Sequence, residues 1–261
     1  MVLVDCASSG ETFSLLKFPE MLGQLINSVL PAKRKMIKVV GPVVEKVEKI
    51  PMPEDSVFTA IEKLMERQGD QELMLNKDVV SIRLVTIPER VVIKETKRNF
   101  TCMQMYEYNV DAIIVKKIYP QEAMKGYFGA WEKLQVAGLA EIKESFLDIP
   151  IFYKELDHCE LKSLPLLTKA ADLYGTIDPA EVLHKNKSFH LEREGAQYHL
   201  LIELPFAEKE ELDLEQNGED IVIALKNERR VYTLPDVVKG RDIERAKLED
   251  GKLRVQFSAI I

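Results

Sequence analysis

The amino-acid sequence predicts a parallel α/β domain followed by a small all-β sandwich. Up to about residue 175, short apolar runs alternate with longer stretches in which apolar residues recur at helical spacing. This alternation is typical of a parallel sheet whose strands are connected by helices. After Pro179 the apolar period shortens from about 3.6 to about 2 residues, which is the period of half-buried strands. We therefore predict one domain over residues 1–180 and a second over residues 187–261.

The chain opens with a predicted strand–loop–helix unit. The apolar residues Val2–Val4 form the strand, Asp5 ends it, and a helix begins near Phe13 after a loop of small residues. In parallel sheets, ligands bind at the carboxyl ends of the strands, where such loops lie. The region 13–80 is predicted to be helical and carries five of the nine methionines. Methionine side chains fill irregular cores and also adapt to apolar partners, so both interpretations stay open.

Three more parallel strands with their helices are predicted before residue 180. The strands are Ser81–Thr86, Asp111–Val115 and Ile149–Tyr153. The helices are Arg90–Met105, Pro120–Phe146 and Leu161–Tyr174, with Gly175 as the cap of the last one. In the long helix, the side chains expected to face inward are Trp131, Leu134, Leu139, Ile142 and Phe146. Gly138 allows a break in this helix.

The second domain is predicted from alternation and from hairpin turns. Apolar residues recur at every second position over Tyr198–Leu204, which predicts a strand. Both Asn217–Gly218 and Asp250–Gly251 are strong hairpin signals. Short strands with a turn about every 8 to 12 residues are typical of a β-sandwich.

Composition and charge exclude several classes of protein. The formal net charge is −7, so we expect no nucleic-acid partner. Three cysteines lie far apart without a CxxC pair, and His158–Cys159 lacks a third residue spaced to join it in catalysis. No apolar run reaches the roughly 20 residues of a membrane helix, and no signal peptide precedes the first strand. We expect a cytoplasmic protein.

Several motifs follow one another in a specific order. They are Asp5–Leu16 followed by Pro19–Glu20, then Ile82–Arg90, Tyr108–Val115 and Leu173–Gly175. This order resembles the anion-transporting ATPases, which comprise the arsenite-pump-driving and the tail-anchored-protein-targeting ATPases. The first motif resembles their switch II segment. Four later motifs resemble the small-heat-shock-like (alpha-crystallin-like) sandwich appended to some bacterial members: Leu204–Phe206, Arg229–Arg230, Leu234–Pro235 and Asp250–Leu253.

The resemblance implies a P-loop-NTPase-like domain with a helical subdomain at residues 13–80, and ATP and Mg²⁺ as cofactors. In the family, a glycine-rich loop near the N-terminus holds the phosphates with its backbone N–H groups. This sequence contains no such loop, so it resembles the carboxyl part of these ATPases from switch II onward. A fragment, a split subunit and a degenerate paralogue all fit. We expect no ATP hydrolysis without an upstream phosphate loop.

The resemblance also assigns candidate site residues. Asp5 stands where the family holds Mg²⁺ through water, while Gly10 and Thr12 complete the remaining switch, with the Gly10 amide facing the γ-phosphate. Asp5 could instead be an aspartate that ends a strand and hydrogen-bonds to its own loop. Gly10 could instead be an ordinary turn glycine. Lys116 replaces the adenine-reading Asn, and Glu155 replaces a Pro beside adenine. Because Lys can only donate hydrogen bonds, we expect a degenerate adenine pocket.

Two classes of function follow. The first is an ATPase that closes a dimer and moves a cargo, with a homo-oligomer or a partner chain completing the sheet. The second is a non-catalytic, chaperone-like module that holds an apolar protein client or a membrane-protein partner. An exposed edge at Val2–Val4 would also favour oligomerisation or poor solubility of the isolated chain.

Overall fold

The computed structural model describes residues 1–6, 10–17, 73–195 and 197–258, and the chain divides into two compact units, Met1–Asn76 and Lys77–Ile261. In the first unit, residues 10–17 are helical and belong to helix α1, and residues 73–75 are also helical. Most of the predicted helical subdomain at 13–80 lies outside the described residues.

The predicted strand at Val2–Val4 is not formed. Residues 1–6 have no regular secondary structure, and Val2 and Leu3 are 88% and 86% exposed. An apolar parallel strand is stable when neighbouring strands satisfy its backbone and helices cover its faces. The described part of the first unit supplies no strand to pair with it.

The second unit begins with a three-stranded parallel sheet, which confirms the predicted α/β architecture. Its strands are β1 (Ile82–Thr86), β2 (Val110–Ile118) and β3 (Ile151–Glu155), in the order β1-β2-β3. Helix α2 (Arg90–Met105) connects β1 to β2, and helix α3 (Gly129–Ser145) connects β2 to β3. Helix α4 (Leu164–Ala171) follows β3.

Helix α3 differs from its prediction in length, continuity and orientation. It begins at Gly129 instead of Pro120, and it runs through Gly138 without a break. Gly138 is buried because α3 crosses the start of α2 closely: a Cβ there would lie 2.6 Å from the carbonyl oxygen of Pro88. A glycine in mid-helix therefore serves close packing at this position.

Two of the side chains expected to face inward from α3 are exposed instead. Trp131 is 45% exposed and Leu134 is 61% exposed, whereas Ile142 is fully buried as expected. The inward position next to Leu134 is taken by Gln135. Its amide accepts a hydrogen bond from Tyr119 N at 2.8 Å and donates one to Tyr119 O at 3.0 Å. Satisfying these two backbone groups turns a polar residue towards the protein.

The carboxyl-terminal part is an antiparallel sandwich, as predicted. Its strands are β4 (Phe189–Glu194), β5 (Gln197–Glu203), β6 (Leu212–Asn217), β7 (Asp220–Leu225), β8 (Glu228–Thr233), β9 (Ile243–Glu249) and β10 (Lys252–Phe257). One sheet has the order β4-β5-β10-β9 and the other β6-β7-β8. Gly218 and Gly251 have φ of 64° and 72°, the left-handed conformation that these hairpin turns require. The core residues with at most 2% exposure include Leu200, Ile202, Ile221, Ile223, Leu253, Val255 and Phe257.

Candidate functional site

The carboxyl edge of the parallel sheet brings two of the predicted site residues to the same end of neighbouring strands. Lys116 lies in β2, which extends past the predicted end at Val115, and Glu155 is the last residue of β3. The register between these strands shifts from Val115 to Ile118, and Lys117 has φ of 54°. Lys116 therefore lies within an irregular strand end and does not follow the strand. Both Lys116 and Glu155 are exposed.

Aromatic and charged side chains surround this edge. Tyr119 and Phe128 stack with ring centroids 5.7 Å apart, and Tyr153, opposite Val115, is 44% exposed. Burial raises the pKa of the Tyr153 phenol above its ordinary value. Lys154 and Asp157 form an ion pair at 2.7 Å, and the hydrogen bond from Lys154 lowers the pKa of Asp157. The edge can thus offer stacking surfaces to a planar ring and ammonium groups to an anion.

The other predicted residues belong to the first unit. Asp5 is exposed in the irregular segment 1–6, and Gly10 lies in α1. A Cβ at Gly10 would meet nothing within 4 Å, so this backbone does not itself require glycine. Thr12 is half-buried in the first turn of α1. The predicted loop residues 7–9 lie outside the described residues.

The described residues do not form a protein metal site. No group of three His, Cys, Asp or Glu side chains among them is arranged to hold a metal ion. A single exposed carboxylate such as Asp5 fits Mg²⁺, which keeps several waters and binds through one or two carboxylates and substrate phosphates. It does not fit an all-protein cage. Within the described part of the chain, no helix is long and apolar enough to cross a membrane.

Residues 181–188 connect the α/β part to the sandwich through polar contacts that the sequence did not predict. We name this segment the strap. The buried Asp111 accepts a hydrogen bond from Leu183 N at 3.1 Å and pairs with Arg83 at 3.3 Å. Asn109 donates to His184 O at 2.9 Å and accepts from Asn186 N at 3.1 Å. The available signal was a charged residue, Asp111, at the start of the apolar run Ala112–Val115.

The electrostatics of the strap follow from its burial. Burial alone lowers the pKa of Arg83, but the hydrogen bond and charge of Asp111 outweigh it and raise that pKa. Lys77 donates to Asn186 O at 2.6 Å and to Ser188 Oγ at 3.2 Å. Burial lowers the pKa of Lys77, partly opposed by the charge of Glu107. Charged side chains at the strap are therefore partly shielded from solvent.

The chain matches two family models in the order that the motifs predict. Residues 1–175 match the anion-transporting ATPase model. The chain belongs to the anion-transporting ATPase family. Residues 195–257 match a second model, described as an HSP20-like domain found in ArsA, and this match covers the sandwich.

Relatives of this family member cover nearly its whole length. "Putative arsenical pump-driving ATPase 1" of Aquifex aeolicus is 29% identical over 264 residues, covering 99% of this chain and 67% of that protein. "Putative arsenical pump-driving ATPase" of Chlorobaculum tepidum is 27% identical, covering 98% of this chain and 64% of that protein. "ATPase ASNA1 homolog" of Babesia bovis is 25% identical over 72% of this chain and 52% of that protein. The chain thus spans about two thirds of the length of the first two relatives.

Solved structures are similar to the sandwich of this family member. HSP18.5 from E. histolytica is 21% identical with a TM-score of 0.24, covering 27% of this chain and 85% of that chain. The small heat shock protein AgsA from Salmonella typhimurium, in its C-terminal truncated form, is 23% identical with a TM-score of 0.23. It covers 28% of this chain and 86% of that chain.

Proposed function

We propose that this chain works as an anion-transport or protein-targeting ATPase, in which ATP hydrolysis closes a cytoplasmic dimer and moves a cargo. The match of residues 1–175 to the family is the observation that carries the proposal. The parallel sheet with an exposed carboxyl edge supports it, because ligands of such sheets bind at that edge. The chain contains no glycine-rich phosphate loop, so hydrolysis requires that loop from outside these 261 residues.

Asp5, Gly10 and Thr12 would form the switch of this ATPase. The Asp5 carboxylate would hold Mg²⁺ through water, and the Gly10 amide in α1 would donate to a terminal phosphate oxygen. The ion neutralises phosphate charge when it is bound. Thr12 lies in the same helical turn as Gly10, so a phosphate bound at Gly10 would contact α1 directly.

We expect this site to bind the adenine base weakly. Lys116 and Glu155 place one positive and one negative charge where the family uses an amide and an apolar ring. An amide both donates to and accepts from a base, whereas an ammonium group only donates. We therefore expect Lys116→Asn to strengthen ATP binding.

The test measures Mg-ATP binding by calorimetry and phosphate release by the isolated chain. We expect no turnover, and binding too weak to measure until Lys116→Asn is introduced. Asp5→Asn in the Lys116→Asn background is the matched control, and it should remove the dependence of binding on Mg²⁺. Turnover by the chain alone would show that it needs no external phosphate loop. Tight binding without turnover would instead favour a regulatory, non-hydrolysing paralogue.

A chaperone-like module that binds an apolar client or a membrane-protein partner is the second candidate. Its support is an HSP20-like sandwich together with an exposed apolar patch, at which Tyr127 is 91% and Trp131 45% exposed. Exposed aromatic patches of this kind mark interaction sites. The whole chain should then slow the aggregation of a reduced client protein without nucleotide, and Tyr127→Ser/Trp131→Ser should remove the effect. Equal protection by the variant and the wild type would contradict this location of the client site.

A further inference from the structure

Two charged side chains belong to the ends of neighbouring strands, at the carboxyl edge of the parallel sheet. Lys116 lies in the last part of β2, and Glu155 is the last residue of β3. In the register of the sheet, Glu155 is paired with Ile118, which is two residues beyond Lys116. Both charged residues are exposed. The edge at which ligands of parallel sheets bind therefore offers one ammonium group and one carboxylate from adjacent strands.

The backbone that carries these two side chains is held by hydrogen bonds. Leu156 N donates to Ile118 O at 2.7 Å, which ties the end of β3 to the end of β2. The Gln135 side chain is hydrogen-bonded to both Tyr119 N and Tyr119 O, which fixes the residue that follows β2. Lys117 has φ of 54° and lies where the register between the strands shifts. Such bulges re-aim side chains, and here the bonds around the bulge keep the two charged groups on a fixed backbone.

The charges of Lys116 and Glu155 are not neutralised by an ion pair within the described residues. The neighbouring Lys154 and Asp157 do form such a pair, with 2.7 Å between the ammonium nitrogen and a carboxylate oxygen. In the part of the chain that the structure describes, no ion pair includes Lys116 or Glu155, and these two do not pair with each other. One donor group and one acceptor group at this edge are therefore available to a ligand.

The two purine bases differ in the groups that such a donor and such an acceptor would contact. Guanine carries the acceptor O6 where adenine carries an amino group, and guanine has a 2-amino donor that adenine lacks. The N1 atom of guanine bears a hydrogen and donates, whereas N1 of adenine accepts. An ammonium group can only donate hydrogen bonds, and a carboxylate can only accept them. Lys116 and Glu155 together therefore complement guanine, whereas adenine would place a donor before Lys116 and an acceptor before Glu155.

We propose that the base site at Lys116 and Glu155 selects guanine over adenine, so that the nucleotide preferred by this chain is a guanosine phosphate. The inference rests on the proposed function for the place of the nucleotide, and it changes the identity of the base. The Lys116 ammonium donates to O6, and the Glu155 carboxylate accepts from N1–H and from the 2-amino group. Hydrogen bonds to charged groups are stronger than those between neutral groups, so two such contacts discriminate well between the bases. The weak binding of adenine expected for this site is the other side of the same selectivity.

The test compares the binding of Mg-GTP, Mg-ATP and Mg-ITP to the whole chain by NMR titration. We expect Mg-GTP to bind at least about tenfold more tightly than Mg-ATP. Inosine keeps O6 and N1–H but lacks the 2-amino group, so the affinity for Mg-ITP should lie between the other two. Glu155→Ala should make Mg-GTP and Mg-ITP bind equally, and Lys116→Asn should strengthen Mg-ATP and remove the preference for Mg-GTP. Lys117→Asn removes a charge from the neighbouring exposed position and is the matched control, which should keep the ratio of the GTP and ATP affinities.

The possible failures of this inference and of the proposed function are distinguishable. Binding of Mg-ATP by the wild type as tightly as Mg-GTP would overturn the selection of guanine and leave the proposed function in place. A preference for Mg-GTP that survives both Lys116→Asn and Glu155→Ala would overturn the role of these two side chains. If the wild type binds no nucleotide but Lys116→Asn binds Mg-ATP, this inference alone is wrong. If neither protein binds any of the three nucleotides, the proposed function is wrong as well.

Discussion

Replacing Asp111 by Ala should destabilise the second unit strongly, because this carboxylate joins three segments of the chain. Asp111 is fully buried, pairs with Arg83 at 3.3 Å and accepts a hydrogen bond from Leu183 N at 3.1 Å. Breaking a buried ion pair from one side costs about 3–5 kcal/mol of unfolding free energy. The cost of leaving the Arg83 charge without Asp111 is reduced, because the Arg83 side chain is 17% exposed and also donates a hydrogen bond to Glu181 O. We therefore expect a loss of about 3 kcal/mol.

This loss is large enough to measure by thermal unfolding. For a unit of this size, about 1 kcal/mol corresponds to 2–4 °C in Tm, so Asp111→Ala should lower Tm by about 6–12 °C. Asp111→Asn keeps an acceptor for Leu183 N and should cost about half as much. The exposed Asp213 of β6 provides the control, since Asp213→Asn should change stability by about 0.5 kcal/mol or less. A Tm of Asp111→Ala within about 2 °C of the wild type would refute the reasoning.

Two further predictions concern the second unit. Gly138→Ala should lower the free energy of unfolding by about 1–3 kcal/mol, because its Cβ would lie 2.6 Å from Pro88 O. Gly129→Ala, whose Cβ would lie 3.4 Å from Met124 O, is the control in urea unfolding. Equal stability of the two variants would contradict this packing. Burial lowers the pKa of Lys77 below 10.5, so the unfolded chain binds the proton more tightly and stability rises with pH in the window just below 10.5. Lys77→Met should remove that part of the slope in the window just below pH 10.5, and an unchanged slope would contradict this reasoning.

The elements that the sequence predicted best are those whose signal lies inside one segment. The strands β1, β2 and β3 follow from short apolar runs, because a parallel strand covered on both faces needs apolar residues on both. Hairpins at Gly218 and Gly251 follow from residues that tolerate the left-handed conformation. Family resemblance, and not periodicity, pointed to Lys116 and Glu155. The structure brings both of them to the carboxyl edge of the sheet.

Other features depended on partners that the sequence does not place side by side. Val2–Val4 has the composition of a strand, but a strand needs a neighbour to accept its hydrogen bonds, and the described residues of its unit supply none. Gln135 faces inward in place of Leu134 because the backbone of Tyr119 needs its amide. In both cases the prediction from the local pattern was wrong, because the tertiary surroundings decided the outcome.

The sequence by itself therefore determined the order and type of the elements: a parallel α/β part, a change of period, and an antiparallel sandwich. Only the tertiary structure decided how these parts are joined. Asp111 accepts a hydrogen bond from Leu183, which is 72 residues away, and Tyr106 donates one to the carbonyl oxygen of Arg229, which is 123 residues away. Helix and strand periods arise within one element, whereas a buried polar contact needs two distant groups at hydrogen-bond distance, and only the folded chain brings them there.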